Sequence, residues 1–367
     1  MSGTGQKEMD GERMAKGESL RSNIHDVALI FEGGGMRASY TAGFVTMLLE
    51  QQLYFDYVAG ISAGSSHAIN YVSRDMLRAR LSFTDLVEDP SFGDIRTWLR
   101  GQGFFNADYL YSESSLADGV IPLDFETFQR NNAECVIGAF LKNEGHMVYW
   151  RKHDYRTIDD LTIRARASSS VPYLMPDTVI NGKMYVDGGI GDAIPIDIAE
   201  QDGYERFVIV LTRPRGYRHE PPVRLAIVDH FLSQHPVQKE ALMTRYLRYN
   251  DTLRKIERLE REGKAYIFYP EDVLVRMTEK ERDKLMEQYV LGHEHAYKEL
   301  PLLRRFLDKV KKERSETFAK TGDLKAPLDS VFEQAKRDVL DHKKDNDVSF
   351  SKSAASNSHQ EKGEEII

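Results

Sequence analysis

Twice within the first quarter of the chain a short apolar run stops at glycines and gives way to a helical pattern, an order of elements that few architectures accommodate. Val27 to Phe31 is strand-like, breaks at Gly33, Gly34 and Gly35, and leads into helical residues from Ala42 to Leu49. Tyr57 to Ile61 is strand-like again, passes Gly60, Ser62 and Gly64, and leads into the helix-compatible Ser65 to Val72. Strand, tight turn and helix in succession are the habit of parallel strands joined by crossover helices. The expected fold is therefore α/β, a three-layer α/β/α arrangement with a mostly parallel central sheet. Phe207 to Leu211 supplies a further strand. Val179 to Val186 reads as a hairpin, because Asn181 and Gly182 make a two-residue turn that tolerates positive φ, and its second arm ends at Asp187. After Pro221 and Pro222 the pattern changes to long helical stretches. A strand-like run from Ala265 to Tyr269 interrupts them, and Thr278 and Glu281 have the spacing of a capping box.

A chain of 367 residues that is 41% hydrophobic can bury a sizeable core. Its 58 acidic against 50 basic residues give a formal charge of -8, which disfavours general attraction to nucleic acid, so no nucleic-acid partner is expected. Cys135 is the single cysteine; it can form neither an intrachain disulfide nor a multi-thiolate metal site, and reads as a small buried apolar residue. No metal and no cofactor are expected. No stretch approaches the apolar length of a membrane span, and the first two dozen residues lack the apolar run of a secretory signal. A cytoplasmic location follows as the expectation, with peripheral membrane association compatible with it.

Three glycine-rich turns carry the chemistry. In Gly60, Ser62 and Gly64 a serine stands at a strand-to-helix turn with glycines two residues to either side, the G-x-S-x-G spacing that exposes a strained nucleophile ahead of a helix N-terminus. In Gly33, Gly34, Gly35 and Arg37 a row of backbone amides ends in a cation. Such a row suits a phosphate or the oxyanion of an attacked ester; the spacing is not that of a dinucleotide site. In Asp187, Gly188 and Gly189 a carboxylate sits at the end of a hairpin arm. Each turn alone also reads as an ordinary tight turn. Together they meet the needs of a nucleophile, an oxyanion site and a base.

This set resembles the patatin-like phospholipase family, whose pattern is a glycine-rich loop ending in a basic residue, then G-x-S-x-G, then D-G-[GA]. The resemblance runs from about Val27 to Asp197 and includes Ser168 to Pro172; the later helices are similar to the C-terminal extension of certain bacterial members. It implies a patatin-like fold and a lipid acyl hydrolase. In it Ser62 and Asp187 form a catalytic dyad, Gly33, Gly34, Gly35 and Arg37 the oxyanion hole, and Gly60, Gly64, Gly188 and Gly189 shape the turns. The implied partner is a lipid or other acyl ester; the oligomeric state stays open. Where the family places glycine after the basic residue this chain has Ala38, which is harmless if the first helical turn has already begun there. The organisation expected is a disordered segment over 1–24, the catalytic domain over 25–220, a mainly helical region over 221–342 and a disordered tail over 343–367.

Two other readings stand beside this one. A Ser-His-Asp triad in the α/β-hydrolase order would draw its histidine from His219, His230, His235 or later. A lipid- or nucleotide-binding protein would hydrolyse nothing, and would need neither Ser62 nor Asp187. His67, five residues after Ser62, points away from it and reads as a packing residue; His293 and His295 fall on different helix faces. Trp98, Leu99, Phe104, Phe105, Tyr109, Leu110 and Tyr111 read as core, or as the lining of an acyl pocket or a membrane-facing surface. Arg74, Arg78 and Arg80 read as solvated, with lipid phosphate as the alternative.

Overall fold

The computed structural model describes residues 20–222 and 234–321. Residues up to Asp308 belong to one compact unit, and a second begins at Lys309. The first unit extends across position 221, where the composition changes. Its strands, among the described residues, are β1 (Ile24–Phe31), β2 (Phe55–Ile61), β3 (Glu134–Leu141), β4 (His146–Trp150), β5 (Thr178–Ile180), β6 (Lys183–Asp187), β7 (Phe207–Val210) and β8 (Ala265–Phe268). They form one sheet in the order β5-β6-β3-β2-β1-β7-β8, with β4 pairing with β3 off that path. The run from β3 to β8 is parallel throughout, while β4, β5 and β6 pair antiparallel.

Helices lie on both faces, which is why the central strands read as continuous apolar runs. They are α1 (Ala38–Glu50), α2 (Ala63–Val72), α3 (Met76–Leu81), α4 (Ile95–Leu99), α5 (Ala107–Tyr111), α6 (Phe125–Arg130), α7 (Ile158–Ser169), α8 (Ile196–Gln201), α9 (Pro236–Arg261) and α10 (Arg282–Thr321). Ala28 and Ile30 of β1, Ile209 of β7 and Ile267 of β8 pack with Ile196 and Ile198 of α8 and Leu253 and Ile256 of α9. On the opposite face Phe31 meets His67 and Tyr71 of α2, and Phe268 meets Tyr40 and Phe44 of α1 and His295 of α10. The alternation of neighbouring strand residues between these two layers is the period-two signature of a strand buried on both sides. The three-layer α/β/α arrangement with a mostly parallel sheet is thus present.

Asn181 and Gly182 both hold positive φ, 51° and 76°, and close the hairpin of β5 and β6. Ala38 has φ -65° and opens α1, so alanine carries no strain there. Cys135 and His67 are fully buried; the His67 ring takes Thr41 Oγ1 at 2.8 Å, and burial holds its pKa down to about 3. The packing role expected of each is borne out.

Three expectations need correction. Residues from Leu20 onward join the fold: Leu20 is buried, its amide donates to Arg130 O and Asn132 donates back, 2.9 and 3.1 Å. The rest of the segment expected to be disordered, 1–19, and the tail from 322 lie outside the described residues. Thr278 and Glu281 do not cap a helix. Instead the Glu279 carboxylate accepts the amides of Lys280 and Glu281, at 2.9 and 3.1 Å, and α10 starts at Arg282. Arg78 is buried rather than solvated. Its guanidinium donates to Ile121 O at 3.1 Å, Ser115 Oγ at 2.9 Å and Asn70 Oδ1, and the loss of solvent lowers its pKa to about 10.

Candidate active site

The site forms where two strands meet end to end. From Ile137 to Leu141 one edge of β3 is taken by β4. The other edge carries β2 as far as the pair Ile61–Gly138, and β6 from the pair Asp187–Ala139. β2 and β6 approach from opposite directions, so the residue after β2, Ser62, and the last residue of β6, Asp187, arrive at the same point of the same edge. Close approach there depends on glycine: a Cβ on Gly188 would lie 2.6 Å from the Gly138 carbonyl and 3.0 Å from Ile61 Cγ2.

Ser62 has φ 55° and ψ -126° and is the N-cap of α2. A side-chain-bearing residue holds that conformation at a cost of about 1–3 kcal/mol and only when its surroundings enforce it. Here the Ser62 amide donates to Ser168 Oγ at 2.8 Å, and Ser168 Oγ–H donates on to the Gly138 carbonyl at 2.6 Å. The Ser62 carbonyl accepts Ser65 Oγ–H at 2.6 Å. The flanking glycines are needed because a Cβ at Gly60 would collide with the Gly64 carbonyl, and one at Gly64 with the Phe31 carbonyl. Ser168 belongs to the stretch noted ahead of the acid, but its bridging role has no signature in the sequence.

Asp187 is buried. Its Oδ1 accepts the Gly189 amide at 2.7 Å, whereas Oδ2 is buried without a hydrogen bond of ordinary geometry. Burial raises its pKa above the usual carboxylate range, and the neighbouring Ser62 hydroxyl, the Gly189 amide and Arg245 each pull it part of the way back. The Ser62 hydroxyl is therefore adjacent to the carboxylate without a closed hydrogen bond, the looser geometry common in unliganded sites.

The glycine loop lies against both. A Cβ on Gly33 would lie 3.0 Å from Ser62 Cβ, and the Gly33 amide donates to Ala193 O in the acid loop at 3.3 Å. Gly34 and Gly35 donate to no other described residue, while Met36 donates to Met277 O at 3.0 Å. Among the described residues the two adjacent amides of Gly34 and Gly35 are uncommitted, and Gly35 lines the same cavity as Ser62. Glu32, just before the loop, is buried and accepts the Thr212 amide and the Tyr249 hydroxyl, both at 2.5 Å. The charge of Arg37 is felt by, and feels, Arg213, Glu32, Tyr249 and Tyr217. Burial first and Arg213 second lower its pKa to about 10.

Behind Ser62 an apolar cavity opens, walled by Ile69, Phe83, Leu86, Phe105, Leu110 and Tyr111 among others, with Arg78 set in its wall. Of the aromatic-rich stretch, Phe105, Leu110 and Tyr111 line this cavity, and Trp98 and Leu99 stand exposed. Among the described residues no imidazole hydrogen-bonds Ser62 or Asp187. His219 Nε2 lies 2.9 Å from Arg245 Nη1. His235 is the N-cap of α9, His293 meets Glu50 and His295 meets Tyr40. His230 lies outside the described residues.

Residues 29–200 match the family profile described as Patatin-like phospholipase, and residues 235–308 match one described as Domain of unknown function (DUF6363). The Escherichia coli (strain K12) protein named "Uncharacterized protein YjjU" is 26% identical over 280 residues, which span 72% of this chain and 74% of that protein. The crystal structure of VipD from Legionella pneumophila superimposes at a TM-score of 0.43 and 13% identity, over 81% of this chain and 72% of that one.

Proposed function

From a chain whose residues 29–200 are a patatin-like phospholipase domain, we infer a serine hydrolase that cleaves acyl esters of lipids through a Ser62–Asp187 dyad. The support that weighs most is the Ser62 hydroxyl beside a buried carboxylate whose second oxygen has no other partner. Asp187 takes the proton from Ser62 Oγ as that oxygen attacks the ester carbonyl. The carbonyl oxygen, now negative, is held by the Gly34 and Gly35 amides, with Arg37 and the N-terminus of α2 adding positive potential. The tetrahedral adduct collapses to acyl-Ser62, and Asp187 returns the proton to the departing alcohol. A water that loses its proton to Asp187 then attacks the acyl group, and Ser62 leaves reprotonated. A carboxylate of ordinary basicity is a weak base for a hydroxyl, and burial makes Asp187 a stronger one.

The acyl chain takes the apolar cavity beside Ser62. The exposed Ile95, Trp98, Leu99 and Tyr173 suit peripheral contact with a lipid surface. The experiment is incubation of purified protein with phospholipids and neutral lipids, followed by mass spectrometry of the products. Fatty acid is expected from the wild type, and release about a thousandfold slower or less from Ser62→Ala and Asp187→Asn. Wild-type release by a folded Asp187→Asn variant would refute the dyad.

A further inference from the structure

Arg78 is a buried cation in the wall of the apolar cavity behind Ser62. Its guanidinium ends at that wall. Ser115 Oγ accepts from Nη2 at 2.9 Å and the Ile121 carbonyl from Nε at 3.1 Å, and both residues line the cavity together with Arg78. Nη1 donates to Asn70 Oδ1. All these partners are neutral. Asp75, the acid whose charge reaches Arg78, spends its Oδ1 on the Arg78 main-chain amide as the N-cap of α3. Among the described residues the guanidinium forms no ion pair. Of its five N–H groups these bonds use three, and one remains on each Nη. Burial lowers its pKa only to about 10, so the charge persists at neutral pH. Ser169, in the same lining, keeps a buried Oγ without a hydrogen-bond partner.

A buried charge is costly unless an opposite charge joins it, and a hydrocarbon chain lying along this wall would leave both Arg78 and Ser169 unsatisfied. Two free N–H groups on one guanidinium match the two oxygens of a carboxylate. The place of Arg78 along the cavity decides which carboxylate that is. Asn70, which takes Nη1, stands eight residues past Ser62, about 12 Å along α2 at about 1.5 Å per residue. An acid held there is not the ester group at Ser62. It is the other end of an acyl chain of about ten carbons, which covers a similar span when extended with C–C bonds of about 1.5 Å. We propose that Arg78 binds a carboxylate at the far end of the acyl group, so that the cavity selects chains ending in an acid over chains of the same length ending in methyl. This specificity rests on the serine hydrolase reading and adds to it the class of acyl group.

The test uses the full-length protein and two substrates of equal acyl length, p-nitrophenyl decanoate and the mono-p-nitrophenyl ester of decanedioic acid. The wild type is expected to favour the acid-ended ester about tenfold in kcat/KM, chiefly through KM. In Arg78→Met that preference should vanish, a change in the ratio of two esters that a merely structural role of Arg78 would not produce. A wild type that favours the methyl-ended ester, or treats the two alike, overturns the proposal without any variant. A folded Arg78→Met that keeps the preference overturns the assignment to Arg78. Should Arg78→Met fail to fold, Arg78→Lys decides: it keeps the charge and loses the fork, so its preference should fall severalfold, and an undiminished one overturns the assignment. Failure of the wild type to hydrolyse either ester counts against the serine hydrolase reading. The arginine site is then decided by calorimetric titration with decanedioate, expected to bind the wild type about tenfold more tightly than the variant, and equal binding overturns it.

Discussion

Ser62 holds a backbone conformation that few side chains tolerate, and a single buried hydroxyl, that of Ser168, ties its amide to β3. Facing it, Asp187 is kept by burial above the ordinary carboxylate range. If Asp187 is the base, only its ionised form works, so the rate falls as pH drops through its raised pKa. Arg245 favours the ionised form; Arg245→Gln should therefore move the acid limb of kcat/KM to higher pH, measured on an uncharged ester. A limb that stays in place or moves down would contradict the assignment. Stability runs the opposite way with pH: for a carboxyl raised on folding, as Asp187 is, the contribution is full below the unfolded pKa and is lost as pH rises through the folded one. Asp187→Asn, which cannot ionise, should accordingly melt higher than the wild type at pH 8 while losing activity. Ser62, Asp187 and the glycines were legible because the roles proposed for them would impose residue type and spacing on a short stretch. Ser168 and Arg245 were not: a lone serine or arginine on a helix has no local pattern, and what each touches lies 106 and 56 positions away.

Glycine also decides how helices meet. Gly292 of α10 packs on the backbone of α1, where a Cβ would collide with the Tyr40 carbonyl, and Gly43 of α1 packs in turn on Gly292 and His293. Inside an isolated helix Gly→Ala gains about 1 kcal/mol. At this crossing the collision is with main chain, and Gly292→Ala should instead cost about 1–3 kcal/mol, read from urea unfolding. A gain in stability would mean that the helices are free to separate. The strands around the two glycine motifs, the hairpin ending at Asp187 and the strand before α10 were readable from apolar runs and turn residues. The start of α10 was not, because Glu279 captures the Glu281 amide that the spacing assigned to Thr278 in a capping box, together with the amide of Lys280. β3 is followed by no glycine motif, and only pairing reveals it as the strand on whose edge Ser62 and Asp187 meet.

Over the whole molecule, the residues after 221 are part of how the site is held. Tyr249, Leu253 and Ile256 of α9 fill the core against β1, β7 and β8. Arg248 donates to the carbonyls of Ile190 and Gly191, and Arg245 to that of Gly189, all in the loop that carries Asp187. Met277 covers Gly35. A chain ending at Glu220 would lose β8 and expose one face of the sheet. It is expected to lack a cooperative thermal transition and ester hydrolysis, and an active, cooperatively melting truncation would show that the catalytic half stands alone. Composition marked the change at Pro221 but could not reveal this, because an amphipathic helix reads alike whether it packs on its own domain or on a neighbour. The central claim is that Asp187 activates Ser62 for attack. Labelling with a fluorophosphonate, followed by peptide mapping, tests it most directly. The account predicts a phosphonate on Ser62 in the wild type and labelling slowed at least about a hundredfold in folded Asp187→Asn; a label on another residue, or undiminished labelling of that variant, would contradict it.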